Sequence, residues 1–344
     1  MPRNPYTLVF GREPLQMISR GPVVDEVVEE FEGEPPSQQV FMISGVRGSG
    51  KTVLMTEIAN RLRKDDQWVV VELNPERDML QTLASKLSSE NDLARIFEAA
   101  KINLSLFGFG LEVHDVAPIA DIEVALDKML ASLGRRGKKV LVTVDEVSSS
   151  QNMKVFASAF QILVRQGHPI FLIMTGLFAN IRRLQDEQGL TFLYRAPRIE
   201  TKPLNVATMA RNYQKTFGIS DEQALRMART TKGYPFAFQV LGYQTWRHRA
   251  FDGDTLADVR QYLEEYAYEK IWSELSRTDR LVVAAIARAE GGKVADVRAA
   301  LGMDSNTFST YRTRLIKAGV VDGSLYGHVS LALPMFDRYA IEHS

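Results

Sequence analysis

Gly45-Val46-Arg47-Gly48-Ser49-Gly50-Lys51-Thr52 decides how this chain folds. A short apolar run, Val40-Phe41-Met42-Ile43, precedes it. A helical pattern with Leu54, Ile58 and Leu62 on one face follows. Strand, glycine loop and helix in that order are the setting in which G-x-x-x-x-G-K-[ST] cradles phosphate. Glycines let backbone N–H groups turn inward without Cβ clashes. The helix start adds unpaired N–H groups and the positive end of its dipole. Residues Gly45, Val46, Arg47, Gly48, Ser49 and Gly50 are therefore expected to wrap the phosphates of a nucleotide. Lys51 is expected at the β- and γ-phosphates and the Thr52 hydroxyl on Mg²⁺.

Downstream, Trp68–Leu73 reads as a short buried strand, followed by a helix from about Asp78 to Leu87. Ile102, Leu104 and Leu106 alternate before Phe107-Gly108, and Phe109, Leu111 and Val113 alternate after it. This predicts a small β-hairpin over about 101–114, either a packing appendage or a contact loop. A helix over Ile119–Leu133 leads to Val140-Leu141-Val142-Thr143-Val144-Asp145-Glu146, and a helix over Lys154–Arg165 leads to Ile170–Gly176. Another, from Leu177 to Gln188, leads to a strand over Ala196–Thr201. Strands alternating with helices over 38–201 predict an α/β fold, a parallel sheet covered on both faces.

Parallel strands deliver their C-terminal ends to the ligand crevice. Asp145 is thus the expected Mg²⁺ ligand and Glu146 the general base that polarises an attacking water. The other reading is a surface Asp-Glu pair. Thr175 ends the next strand, which is expected between the strands carrying the loop and Asp145. Its hydroxyl either orients the water or γ-phosphate or caps the following helix. Arg195, before the last strand, is placed to act as an arginine finger across a subunit boundary; Arg198 is the second candidate, and either could be a plain surface arginine.

Composition bounds the rest. The 344 residues carry 42 basic and 42 acidic side chains, so bulk charge does not suggest nucleic-acid binding, though a local basic face stays open. With no cysteine, disulfides and cysteine zinc sites are excluded, which suits a reducing compartment. The N-terminus shows no apolar signal core, and the run from Pro169 to Ile181 is too short to span a bilayer, so a cytoplasmic location without membrane contact is expected.

Residues 1–22 read as an irregular arm and 23–203 as the nucleotide-binding core. The stretch 204–275 is helical throughout, broken at Gly218, Gly233-Tyr234-Pro235 and Asp252-Gly253. From 276 to 344, three short helices and a hairpin around Leu325–Leu331 have the layout of a winged helix-turn-helix. Ser305, Asn306, Thr307, Thr310, Arg312, Thr313, Arg314 and Lys317 of its third helix suit DNA contacts, with Tyr326 and His328 near a wing tip, so residues 305–330 are the candidate DNA surface. Nine Lys/Arg against seven Asp/Glu in this segment is a weak basic footprint, and protein docking is the alternative.

The loop, the Val-Leu-Val-Thr-Val-Asp-Glu strand, the polar strand end at Thr175 and the arginine before the fifth strand together resemble the AAA+/STAND branch of P-loop ATPases. They look most like the prokaryotic ATPases related to origin-recognition-type initiators. The resemblance implies a P-loop NTPase core of AAA+ type, a helical lid and a C-terminal winged helix. It implies a slow ATPase with ATP and Mg²⁺ as ligands, ADP as product, and a nucleotide-driven change of conformation or homo-oligomeric assembly. A non-turnover, nucleotide-loaded regulator that docks a protein is the other reading. Gly233-Tyr234-Pro235 looks like the Gly-x-Pro element of STAND lids, which implies a nucleotide contact for Pro235; locally a helix break with Pro in the first turn explains the same residues. Phe236-Ala237-Phe238-Gln239 lacks the arginine of the usual lid sensor. Phe10-Gly11-Arg12 and Ser19-Arg20-Gly21 only loosely resemble an adenine-side box.

Overall fold

The computed structural model describes residues 3–9, 14–108, 111–114 and 116–344. The expected Phe10-Gly11-Arg12 box and Phe109 lie outside them. The chain divides into two compact units, residues 20–44 with 52–200, and residues 1–19 with 45–51 and 201–344.

The first unit is built on five parallel strands. In chain order its elements are α1 (Gly21–Glu32), β1 (Val40–Ser44), α2 (Lys51–Leu62, from Thr52 onward), β2 (Trp68–Leu73), α3 (Met79–Ser89), α4 (Asn91–Ala99), α5 (Ile122–Gly134), β3 (Lys139–Val144), α6 (Gln151–Arg165), β4 (Ile170–Gly176), α7 (Phe178–Gln185) and β5 (Arg198–Glu200). The strands run in the order β2-β3-β4-β1-β5, so β4 separates β1 from β3, as expected. Ser44 pairs with Gly176, and Val144 with Met174.

The apolar strands are continuous because both faces are buried. Phe41, Ile43, Leu141, Phe171 and Ile173 face α1 and α2, where Phe31, Trp68 and Phe171 meet ring to ring. Met42, Val142, Val144, Leu172 and Met174 belong to the opposite core, with residues of α3, α5 and α6. Side-chain oxygens of Asp78, Asp121 and Ser150 accept first-turn N–H groups at the starts of α3, α5 and α6.

The hairpin expected over 101–114 is not formed among the described residues. Only a 3₁₀ turn, Ser105–Phe107, is present. Ile102, Leu104 and Leu111 are buried, so the alternation marks packing rather than strand pairing. The reason is Asn103, itself buried. Its side-chain amide donates to the carbonyls of Val113 (3.2 Å) and Val116 (2.8 Å), taking over bonds a strand ladder would make. The helix α4 was not expected either.

The second unit holds α8 (Val206–Phe217), α9 (Asp221–Thr230), α10 (Pro235–His248), α11 (Gly253–Leu263), a π-helical turn (Glu264–Tyr268), α12 (Glu269–Glu274), α13 (Arg277–Arg288), α14 (Val294–Leu301), α15 (Ser305–Lys317), β6 (Val321–Asp322), β7 (Ser330–Leu331) and α16 (Phe336–Glu342). The strands β6 and β7 are antiparallel, and a lone bridge joins Lys293 to His328. The stretches 204–275 and 276–344 were read as separate domains, yet they share one core. Tyr268 and Trp272 pack on Phe336 and Tyr339, and the Tyr268 hydroxyl donates to the Pro334 carbonyl. The N-terminal arm joins this core through Tyr6. Its ring lies against Tyr213, Phe217 and Phe238, and its hydroxyl donates to Asn212 at 2.8 Å.

Gly242 makes room for that ring: a Cβ there would lie 2.4 Å from Tyr6 Cδ1. Gly242→Ala is expected to cost about 1–3 kcal/mol in thermal or denaturant unfolding. Much of the loss should vanish in a Tyr6→Ala background, where a double-mutant cycle reads the coupling.

Candidate active site

The phosphate-loop candidate leaves β1 at Ser44 and enters α2 at Lys51. Gly48 and Gly50 hold φ of +76° and +85°, a region that L side chains rarely adopt. The Lys51 ammonium donates to the carbonyls of Gly45 and Val46, both at 3.1 Å, and so closes across its own loop. The Ser49 amide donates to the Val46 carbonyl at 3.2 Å, and the Thr201 hydroxyl to Ser49 Oγ at 2.6 Å. A Cβ on Gly45 would strike the Thr201 hydroxyl, which explains that first glycine.

Pro235, at the start of α10, was expected near the nucleotide; its neighbours Tyr234 and Phe236 were not expected to hold the loop itself. The Tyr234 hydroxyl donates to the Arg47 carbonyl at 2.6 Å, and the Phe236 amide to the Gly48 carbonyl at 3.2 Å. A Cβ on Gly50 would sit 3.7 Å from Pro235 Cγ. The Arg47 guanidinium pairs with Glu274 at 3.5 Å, and Gly319 lies against Val46. Tyr234 lies within Gly233-Tyr234-Pro235, where Pro235 was the expected contact. No sequence signal links Arg47 to Glu274.

In the sheet unit, four of the expected polar residues converge at the ends of β3 and β4 and the start of α2. The Thr52 hydroxyl donates to Asp145 Oδ2 at 2.8 Å. The Thr175 hydroxyl, fully buried, donates to Asp145 Oδ1. Glu146 turns its amide back on the same cluster, 3.1 Å from Asp145 Oδ1 and 3.3 Å from Thr175 Oγ1. It does so with φ of +52°, a left-handed backbone unusual for glutamate, and its side chain is exposed. Thr175 does not cap the following helix: Leu177 is the N-cap of α7, and no side-chain bond caps it.

Arg195 follows the 3₁₀ turn Thr191–Tyr194 and is exposed; among the described residues no hydrogen bond or ion pair joins it to this cluster. Arg198, on β5, lies 5.9 Å over the Phe178 ring.

A hydroxyl and a carboxylate oxygen in contact are the hard donors that suit Mg²⁺. Among the described residues no group of three or more His, Cys, Asp or Glu could hold a metal alone. The glycine loop fits the phosphates, since its closest turns exclude Cβ atoms.

Gly48→Ala meets both obstacles: left-handed backbone, and a Cβ 2.3 Å from Tyr234 Oη. It should cost about 1–3 kcal/mol and abolish nucleotide binding. Gly108→Ala, with φ of +72° but nothing within 4 Å, should show only the smaller backbone cost in the same melting experiment.

The family described as "ATPase domain predominantly from Archaea" matches residues 24–216. A family described as "Domain of unknown function (DUF8462)" matches residues 265–340. Comparison with curated proteins returns no match. Among solved structures, the Walker-type ATPase of Pyrococcus abyssi aligns with a TM-score of 0.65 and 16% identity, over 94% of this chain and 96% of that one. The ORC2 protein of Aeropyrum pernix, solved as ADPNP-ADP complexes, aligns with a TM-score of 0.59 and 14% identity, over 95% and 93% of the two chains. At such identities the likeness concerns the fold.

Proposed function

The chain belongs to the family of ATPase domains found predominantly in Archaea and is an ATPase, and from that premise we propose which residues carry the reaction and what it drives. The observation that supports the assignment best is the Thr52–Asp145 hydrogen bond, which joins the first turn of α2 to the residue after β3, 93 positions apart.

On this reading the loop amides of Gly45–Gly50 and the Lys51 ammonium bind the triphosphate of ATP, and Pro235 contacts the nucleotide. Thr52 and Asp145 hold Mg²⁺, Asp145 mostly through water. When bound, the ion neutralises charge on the β- and γ-phosphate oxygens. Glu146 takes a proton from water as its oxygen bonds to the γ-phosphorus; the bond to the β-bridging oxygen breaks and ADP leaves. Thr175 holds Asp145 and steadies the Glu146 amide, so it orients the pair that faces the water. Arg195 serves the γ-phosphate of a neighbouring copy as an arginine finger, a role its exposure permits. ATP binding then shifts the conformation or assembly of the protein, through different affinities for two states.

The segment from α13 to β7 works as a winged helix that contacts DNA, supported by the order of three helices and an antiparallel pair. Two of its candidate cations also have partners within the chain. The Arg314 Nε donates to Asp279 at 3.1 Å, and Arg312 donates to the Gly323 carbonyl at 3.3 Å. Asn306, Thr313 and Lys317 are exposed on α15. One observation favours protein docking instead: Leu325 and Tyr326 at the turn are 64% and 99% exposed.

Lys51→Ala is expected to weaken ATP binding at least tenfold, as for a lost charge-assisted contact of about 1.5–3 kcal/mol. Glu146→Gln should keep binding within about twofold and lower kcat by about a hundredfold or more. Calorimetric titration and phosphate release check the pair; unchanged ATP affinity in Lys51→Ala would remove the loop from the mechanism. In a gel shift at rising salt, the wild type should retard duplex DNA, and Lys317→Glu should weaken retardation and flatten its salt dependence. No retardation at low salt, with or without ATP, favours the docking reading.

A further inference from the structure

The phosphate loop is gripped from outside its own strand and helix, and the grip falls on carbonyls. Arg47 C=O accepts from the Tyr234 hydroxyl, and Gly48 C=O from the Phe236 amide. A trans peptide is planar, so the carbonyl of one residue and the N–H of the next point in opposite directions. Holding Arg47 C=O toward Tyr234 therefore turns the Gly48 N–H away from Tyr234. The next plane behaves likewise: Gly48 C=O is held by Phe236. A cradle for anions needs this arrangement, with carbonyls held behind the loop and N–H groups released in front.

The geometry points to Tyr234 as a positioning residue for nucleotide binding, which sets the Gly48 amide through its hydrogen bond to the Arg47 carbonyl. This rests on reading the loop as the phosphate site. Three features of the chain are spent on the contact. Gly233, at φ +75°, brings the chain back so closely that a Cβ would lie 2.8 Å from the Leu204 carbonyl. Tyr234 stands at the N-cap of α10, yet its side chain makes no cap bond and reaches the loop instead. Gly48 has no Cβ, and only that allows the phenol oxygen so near. Burial pushes the Tyr234 phenol well above its ordinary range, so it stays a donor at any working pH. The proposal differs from a Pro235–nucleotide contact because Tyr234 touches protein, not ligand.

Tyr234→Phe removes the hydroxyl and keeps the ring. An internal control exists in Tyr213, whose hydroxyl donates to the Phe238 carbonyl at 2.8 Å in the same core, without touching the loop. In the full chain, Tyr234→Phe should weaken Mg-ATP binding by about three- to tenfold, the net worth of one hydrogen bond. KM should rise in parallel and kcat change less than about twofold. Its unliganded Tm should fall no further than that of Tyr213→Phe, which should bind Mg-ATP as the wild type does. Wild-type affinity in Tyr234→Phe would overturn the proposal. So would equal affinity losses in the two variants, because general loosening would then explain both. Lys51→Ala separates the two levels: if it too binds ATP normally, the phosphate-loop reading falls and this inference with it. If Lys51→Ala loses binding and Tyr234→Phe does not, only the tyrosine's role is lost.

Discussion

A single carboxylate organises the polar end of the sheet. Asp145 accepts hydrogen bonds from Thr52 and Thr175, and one of its oxygens also accepts from the Glu146 amide. These partners come from α2, from the end of β4 and from the turn after β3. They can meet only because β4 lies between β1 and β3 and all five strands run the same way. The central strands β1, β3 and β4 are buried on both faces. The left-handed Glu146 belongs to the same constraint. Its amide folds back to Asp145 and Thr175, and its side chain is exposed.

The loop has a second set of dependencies, and they run toward the C-terminal half of the chain. Tyr234, Phe236, Glu274 and Gly319 touch Arg47, Gly48 and Val46 through a hydroxyl, an amide, an ion pair and a packing contact. Residues 45–51 accordingly cluster with 201–344. Of these contacts the partly exposed Arg47–Glu274 pair, at 3.5 Å, is the weaker one. The buried phenol–carbonyl bond is the contact with the geometry to matter.

Legibility varied with the range of the interactions involved. The glycine loop, the Asp-Glu strand end and the apolar strand ending at Thr175 were readable because each is a local pattern. Apolar runs mark strands, and glycines mark turns that only they can make. The hairpin over 101–114 failed because alternation cannot distinguish a strand from a buried loop when a side chain such as Asn103 supplies the hydrogen bonds. Arg314 and Arg312 also have partners within the chain, Asp279 and the Gly323 carbonyl, that no local pattern announces.

By itself, the order of residues determined a glycine cradle between a strand and a helix, an acidic strand end, and a helical C-terminal half. Backbone sterics and side-chain burial dictate all of these within a few residues of each site. Only the tertiary structure decided that a tyrosine 187 positions away would grasp the loop's Arg47 carbonyl. It alone also merged the two C-terminal segments into one core around Tyr268 and Phe336. Such contacts leave no local trace, because a hydrogen bond between distant residues depends on where the whole chain has put them.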